Sequence, residues 1–77
     1  MTALVIPEDL WEDGDLTGSI SVWLYEHGAR VQAGDILAEV MVEKATYELV
    51  APLSGTLLIG VAPEVVITKG SVVGSIE

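Results

Sequence analysis

Apolar residues recur along this chain in short runs, often with a period of two, and glycine, proline or acidic residues interrupt them. The clearest alternation lies in residues 17–25. There Ile20, Val22 and Leu24 share one face, and Ser19, Ser21 and Trp23 share the other. That is the period of a half-buried strand. The same reading predicts strands over residues 3–6, 30–33, 36–42, 45–51, 56–61, 65–68 and 71–76. Turn formers separate them. These are Pro7 with the acidic stretch 8–15, Glu26-His27-Gly28, Gly34-Asp35, Glu43-Lys44, Pro52 with Ser54-Gly55, Ala62-Pro63-Glu64, and Lys69-Gly70. No segment sustains a period of 3.6, so no helix is expected.

The pattern also repeats. Gly34-Asp35-Ile36-Leu37-Ala38-Glu39-Val40 aligns with Gly70-Ser71-Val72-Val73-Gly74-Ser75-Ile76, and Val31 falls on Ile67 at the same spacing. Gly18-Ser19-Ile20 matches Gly55-Thr56-Leu57. Each copy is too small to bury its own apolar face, so the two should pack together. The expected product is an all-β fold of two antiparallel sheets related by an approximate two-fold axis, with residues 1–77 forming one domain.

A two-residue loop at Glu43-Lys44 specifies the register of the strands on either side. Val42 then faces Ala45, Val40 faces Tyr47, Ala38 faces Leu49 and Ile36 faces Ala51. The alternate pairs are Met41 with Thr46, Glu39 with Glu48, and Leu37 with Val50. The first set is apolar and should face the core. The second is mostly polar, apart from Leu37 with Val50. A slip of one residue would mix the two faces, which pins the register. Two features oppose it mildly. Glu39 and Glu48 are like charges set opposite one another, and the loop lacks the Asn-Gly or Asp-Gly pair that favours tight hairpins. Lys44 therefore projects from the end of a stiff ribbon. It is the only lysine in the first 68 residues.

Composition narrows the function classes. The chain is 51% hydrophobic and 19% charged, and its β-branched content suits strands. With 77 residues there is no room for both a core and a deep substrate cleft. That argues for a non-catalytic module, with no catalytic residues assigned. Twelve acids oppose three bases, for a net charge of −9. Such a surface repels phosphate, so neither nucleic acid nor an anionic membrane is an expected partner. There is no run of about 18 apolar residues to span a bilayer. No cysteine is present. The acidic stretch 8–15 lacks the spacing of a calcium loop, so no metal is expected.

The run Leu37-Ala38-Glu39-Val40-Met41-Val42-Glu43-Lys44-Ala45-Thr46-Tyr47-Glu48-Leu49-Val50-Ala51-Pro52-Leu53-Ser54-Gly55 resembles the lipoylation hairpin of lipoyl domains from 2-oxo acid dehydrogenase complexes. That family shows an acidic residue, the modified lysine and alanine, followed downstream by a Pro-x-x-Gly step. The stretch from Gly18 to Gly28 is similar to the family's second strand and the turn after it. The resemblance runs over nearly the whole chain. It implies a flattened β-barrel or sandwich, and lipoic acid joined by an amide to Lys44, with Glu43 and Ala45 as flanking recognition residues. The implied partners are a lipoate ligase or lipoyl transferase, a thiamine-dependent decarboxylase or dehydrogenase, an acyltransferase and a flavin-dependent dihydrolipoyl dehydrogenase. The host would be a 2-oxo acid or acetoin dehydrogenase complex. It would lie in the cytoplasm, or in the mitochondrial matrix if a transit peptide has been removed. The family more often has Asp before the lysine, where this chain has Glu43.

The resemblance also places the loop after the first strand near the modified lysine. Glu8, Asp9, Trp11, Glu12 and Asp13 are thus candidates for partner recognition. Trp11 has two readings: a contact anchor, or a cover for one edge of the core. Trp23 follows the alternation and is expected to pack against the sheet. His27, the only histidine, reads as an ordinary turn residue. Two alternatives stand beside the lipoyl carrier. One is a biotin carrier, although its lysine is normally flanked by methionine on both sides. The other is an unmodified β-sandwich that binds partners without using Lys44.

Overall fold

The fold follows from the β-branched runs and the turns that punctuate them. A computed structural model describes residues 1–11 and 17–77. The described residues form eight strands and no helix. They are β1 (Thr2–Val5), β2 (Thr17–Trp23), β3 (Arg30–Val31), β4 (Ile36–Val42), β5 (Ala45–Val50), β6 (Gly55–Ile59), β7 (Val66–Thr68) and β8 (Val72–Ile76). One sheet has the order β1-β8-β6-β3 and the other β5-β4-β2-β7. Every pairing is antiparallel.

Exchanging the first four strands with the last four converts one sheet order into the other. The expected two-fold relation is therefore present, and each sheet takes strands from both halves. The relation extends to individual hydrogen bonds. Gln32 N–H donates to Asp35 Oδ2 at 2.8 Å, and Thr68 N–H donates to Ser71 Oγ at 2.9 Å. Leu24 N–H donates to Leu37 O, and Gly60 N–H donates to Val73 O, both at 2.8 Å. Gly34 and Gly70 occupy matching turns at φ 94° and 86°, a region that glycine enters without steric penalty.

The core lies between the sheets. Leu4, Ile6, Ile20, Val31, Leu37, Val40, Val42, Leu49, Leu57, Ile67, Val73 and Ile76 are buried there. Gly55, the last residue of the Pro-x-x-Gly step, opens β6 where the chain passes the C-terminal backbone. Thr56 and Glu77 exchange backbone hydrogen bonds of 2.8 and 3.0 Å. A Cβ on Gly55 would collide with the Glu77 carbonyl oxygen and lie 2.7 Å from Ile76 Cγ2.

Two bulges correct the alternation expected from the sequence. In β2 the register shifts between Ile20 and Val22, so two steps along β2 match one along β4. Such an extra residue turns the following side chains over. Ile20 is buried as expected, but Val22 and Leu24 are exposed and Trp23 packs against the core. Its Nε1–H donates to Val61 O at 2.9 Å. In β4 the shift falls between Ile36 and Ala38. Leu37 is buried next to Ala38, whereas Ile36 pairs with Val50 and both are exposed. The expected pairs Ile36–Ala51 and Leu37–Val50 do not form.

His27 is held structurally. Its Nδ1 accepts the Ile59 N–H at 2.9 Å, tying the turn after β2 to the end of β6.

Candidate functional site

β4 sits inside its sheet, paired on one edge with β5 and on the other with β2. The β4–β5 hairpin is therefore rooted in the body of the protein. Its register pairs Val42 with Ala45, Met41 with Thr46, Val40 with Tyr47, Glu39 with Glu48, and Ala38 with Leu49. These are the expected pairs nearest the turn. Val42, Val40, Ala38 and Leu49 are buried, while Met41, Thr46 and Glu48 are exposed. Burial of one face fixes the ribbon, and its tip extends beyond the last pair.

That tip is Glu43-Lys44. Both residues are exposed. Among the described residues, no group holds the Lys44 amine by a hydrogen bond or ion pair. Ala45, the first residue of β5, is half-buried and leaves the lysine unobstructed. Glu43 has φ 55°, a left-handed value, while Lys44 stays at negative φ, so the strain of the turn falls on Glu43. A β-carbon in left-handed backbone costs roughly 1–2 kcal/mol, and Asn tolerates it better than Glu. We therefore expect Glu43→Asn to stabilise the domain by up to about 1 kcal/mol, raising Tm by at most roughly 4–8 °C. Thermal denaturation checks this; an unchanged or lower Tm would refute the strained turn.

Around the hairpin, the candidate recognition residues separate. Glu8 and Asp9 are exposed in the turn after β1. Trp11 is only 1% exposed, and its ring centroid lies 6.4 Å from that of Tyr47 on β5. The contact-anchor reading of Trp11 is corrected by its burial: the indole closes the core. Its ring places residue 11 against β5 of the lysine hairpin, whereas the Glu8 carboxylate lies next to Gly70 in the turn between β7 and β8. Glu12 and Asp13 lie outside the described residues. Lys69, the other lysine, is half-buried, with Nζ 5.4 Å from the Trp11 ring centroid. This cation–π arrangement distinguishes it from the projecting Lys44.

One feature has no counterpart in the strand pattern. On the outward face of the lysine-bearing sheet, a groove of about 380 Å³ runs from Glu43 past Met41 and Ser19 to Val66 and Glu64. It depends on the pairing of β2 with both β4 and β7, which alternation within one strand does not reveal.

The profile of a family described as biotin-requiring enzyme matches residues 13–76, most of the chain. The chain belongs to the biotinyl/lipoyl attachment family. Members of this family carry lipoate or biotin covalently on a lysine and are generally non-catalytic carrier domains. An accessible, unengaged lysine at a hairpin tip fits such a group. Among similar curated proteins is the dihydrolipoyllysine-residue acetyltransferase component of the pyruvate dehydrogenase complex of Rhizobium meliloti. It is 39% identical over 46 residues, covering 60% of this chain and 10% of that protein. The pyruvate dehydrogenase E1 component subunit beta of the same organism is 42% identical over 40 residues, covering 52% of this chain and 9% of that protein. The attachment domain thus spans about a tenth of the length of these relatives. Its fold matches the lipoyl domain of the 2-oxoglutarate dehydrogenase complex from Azotobacter vinelandii. The TM-score is 0.73 at 17% identity, covering 97% of this chain and 96% of that one.

Proposed function

We propose that this domain carries lipoate on Lys44 and serves as the mobile acyl carrier of a 2-oxo acid or acetoin dehydrogenase complex. The observation that carries the reading is the exposed, unengaged lysine at the tip of a rooted hairpin. Two further points support lipoate over biotin. Lys44 is flanked by Glu43 and Ala45 rather than by methionines. Both curated relatives are pyruvate dehydrogenase components.

The chemistry divides simply. When bound, the lipoyl group supplies a ring disulfide able to take up and release acyl groups and electrons. The protein supplies position. The buried face of β4 and β5 holds the hairpin, and the short turn presents the Lys44 amine to a modifying enzyme without local unfolding. Tethering then raises the local concentration of the attached group at each partner site. Acylation removes the lysine charge, so the loaded domain is more acidic still. A surface of net charge −9 is suited to steering toward basic partner entrances. The proposed partners are a lipoate ligase or lipoyl transferase, a thiamine-dependent component, an acyltransferase and a flavin-dependent dihydrolipoyl dehydrogenase. Exposed Glu8 and Asp9, in the turn after β1, are the proposed contacts among the described residues.

Intact mass spectrometry tests this directly. After exposure to a lipoate ligase with lipoate and ATP, the domain should gain one lipoyl group per chain. A biotin ligase with biotin should add nothing. Mass gained from biotin alone would transfer the assignment to a biotin carrier. No gain from either would favour an unmodified interaction module.

A further inference from the structure

The sheet that does not bear Lys44 carries a groove of about 530 Å³ on its outward face. Met1, Ala3, Leu58, Ile59 and Val72 line it, together with Ser75 and two glycines, and no lining side chain is charged. Val5 pairs with Val72 and extends the apolar patch, both being exposed. Cross-strand pairing sets Ala3, Ser75 and Leu58 in one row across β1, β8 and β6. Ser75 is only 8% exposed, yet its hydroxyl has no hydrogen-bond partner among the described residues. A nearly buried hydroxyl left unpaired is costly, so this one is suited to a bond supplied from outside.

We infer that this face pairs with the same face of a second copy of the chain, in a weak dimer whose two-fold axis runs along β8 over Ser75. Such an axis sets β6 of one copy over β1 of the other. Each Leu58 then lies over the small Ala3 of the second copy, and Val72 meets its own counterpart. Sheets packed about 10 Å apart bring leucine and alanine into contact and leave the two Ser75 hydroxyls room for one shared water. The inference does not depend on what Lys44 carries. The lysine-bearing sheet faces the other way, so both hairpins stay open in the pair.

Charge selects this face. Two copies of net charge −9 repel each other, so they meet best where neither presents a carboxylate. On the two-fold related sheet the position matching Ser75 is Glu39, set opposite Glu48, and a second copy is repelled there. A strongly charged partner finds no side-chain charge in the groove to pair with. Glu77, exposed just past β8, is set by the axis opposite its own counterpart at the rim, which weakens the pair mildly. The groove spans only three strands, about 10 Å from β1 to β6. That falls short of a standard interface, so the pairing is transient and half complete at roughly 0.1–1 mM.

Sedimentation equilibrium over about 0.02–2 mM should show the mean mass rising from monomer toward dimer. The association should strengthen with added salt, which screens the net charge. Val72→Glu sets two carboxylates across the axis at an exposed position, so the fold should persist while Kd rises at least about tenfold. Glu77→Gln removes the opposed carboxylates of the rim and should lower Kd roughly two- to threefold. In the wild type, the Ala3, Leu58 and Val72 methyl resonances should shift with concentration while that of Met41, on the lysine-bearing sheet, stays fixed. A domain still monomeric at about 2 mM overturns the pairing, as does an association that Val72→Glu leaves unchanged. A domain that stays monomeric while the same methyls shift with submicellar octyl glucoside overturns it too, and gives the face to a small uncharged ligand. Loading of Lys44 is read separately by mass, so failure of the pairing leaves the carrier reading standing.

Discussion

Lys44→Arg is expected to abolish lipoylation completely, taking the loaded fraction from one group per chain to none while leaving the fold intact. Arginine keeps the positive charge and the length of the side chain. Its guanidinium remains protonated and is not an acylation nucleophile under the conditions of a ligase reaction. The side chain at position 44 is exposed and makes no polar contact with a described residue, so its replacement should shift stability by no more than about 0.5 kcal/mol. The matched control is Lys69→Arg, at a half-buried lysine stacked over Trp11. It should load as the wild type does. Intact mass of the three proteins after ligase treatment, with peptide mapping of the loaded chain, decides the matter. A Lys44→Arg protein that still gains a lipoyl group would remove the hairpin tip from the mechanism.

Trp11→Ala should destabilise the domain by about 3–5 kcal/mol, the usual cost of deleting a buried aromatic side chain and leaving a cavity. Trp11 is one of the largest fully buried side chains, packed against Tyr47 with the Lys69 amine over its ring. A domain of this size has roughly 4–12 kcal/mol of stability in total. The loss would therefore consume much of it and leave a partly unfolded population at ambient temperature. Trp11→Phe keeps an aromatic in the site and should lose less. Urea titration monitored by circular dichroism reads both midpoints. Were Trp11 a contact anchor rather than a core residue, Trp11→Ala would keep the wild-type midpoint and weaken only partner binding.

The hairpin is legible in the amino-acid order because its two signals agree. Apolar residues at 38, 40, 42, 45, 47 and 49 form one face only if Glu43-Lys44 is the loop, and those pairings form as expected. The two-fold arrangement is legible for a similar reason. A repeat in glycines and alternating apolar positions demands similar backbone in both copies, down to the matched bonds at Gln32 and Thr68. Alternation fails at the bulges. Val22 and Leu24 continue the period of Ile20 along the chain, yet one unpaired residue turns them outward and brings Trp23 in. Whether a strand contains a bulge depends on its neighbour, which the strand's own pattern does not specify.

The same distinction separates what each level of organisation decided. Local order along the chain was sufficient for the all-β class, the repeat, the hairpin turn and the position of Lys44 at its tip, because period and turn chemistry act between near neighbours. Tertiary structure decided that Trp11 is buried, that Ile36 and Val22 face solvent, and that Met41, Ser19 and Val66 meet in one groove. Those outcomes arise from contacts between residues far apart in the chain, where sheet pairing and packing between the layers override local pattern.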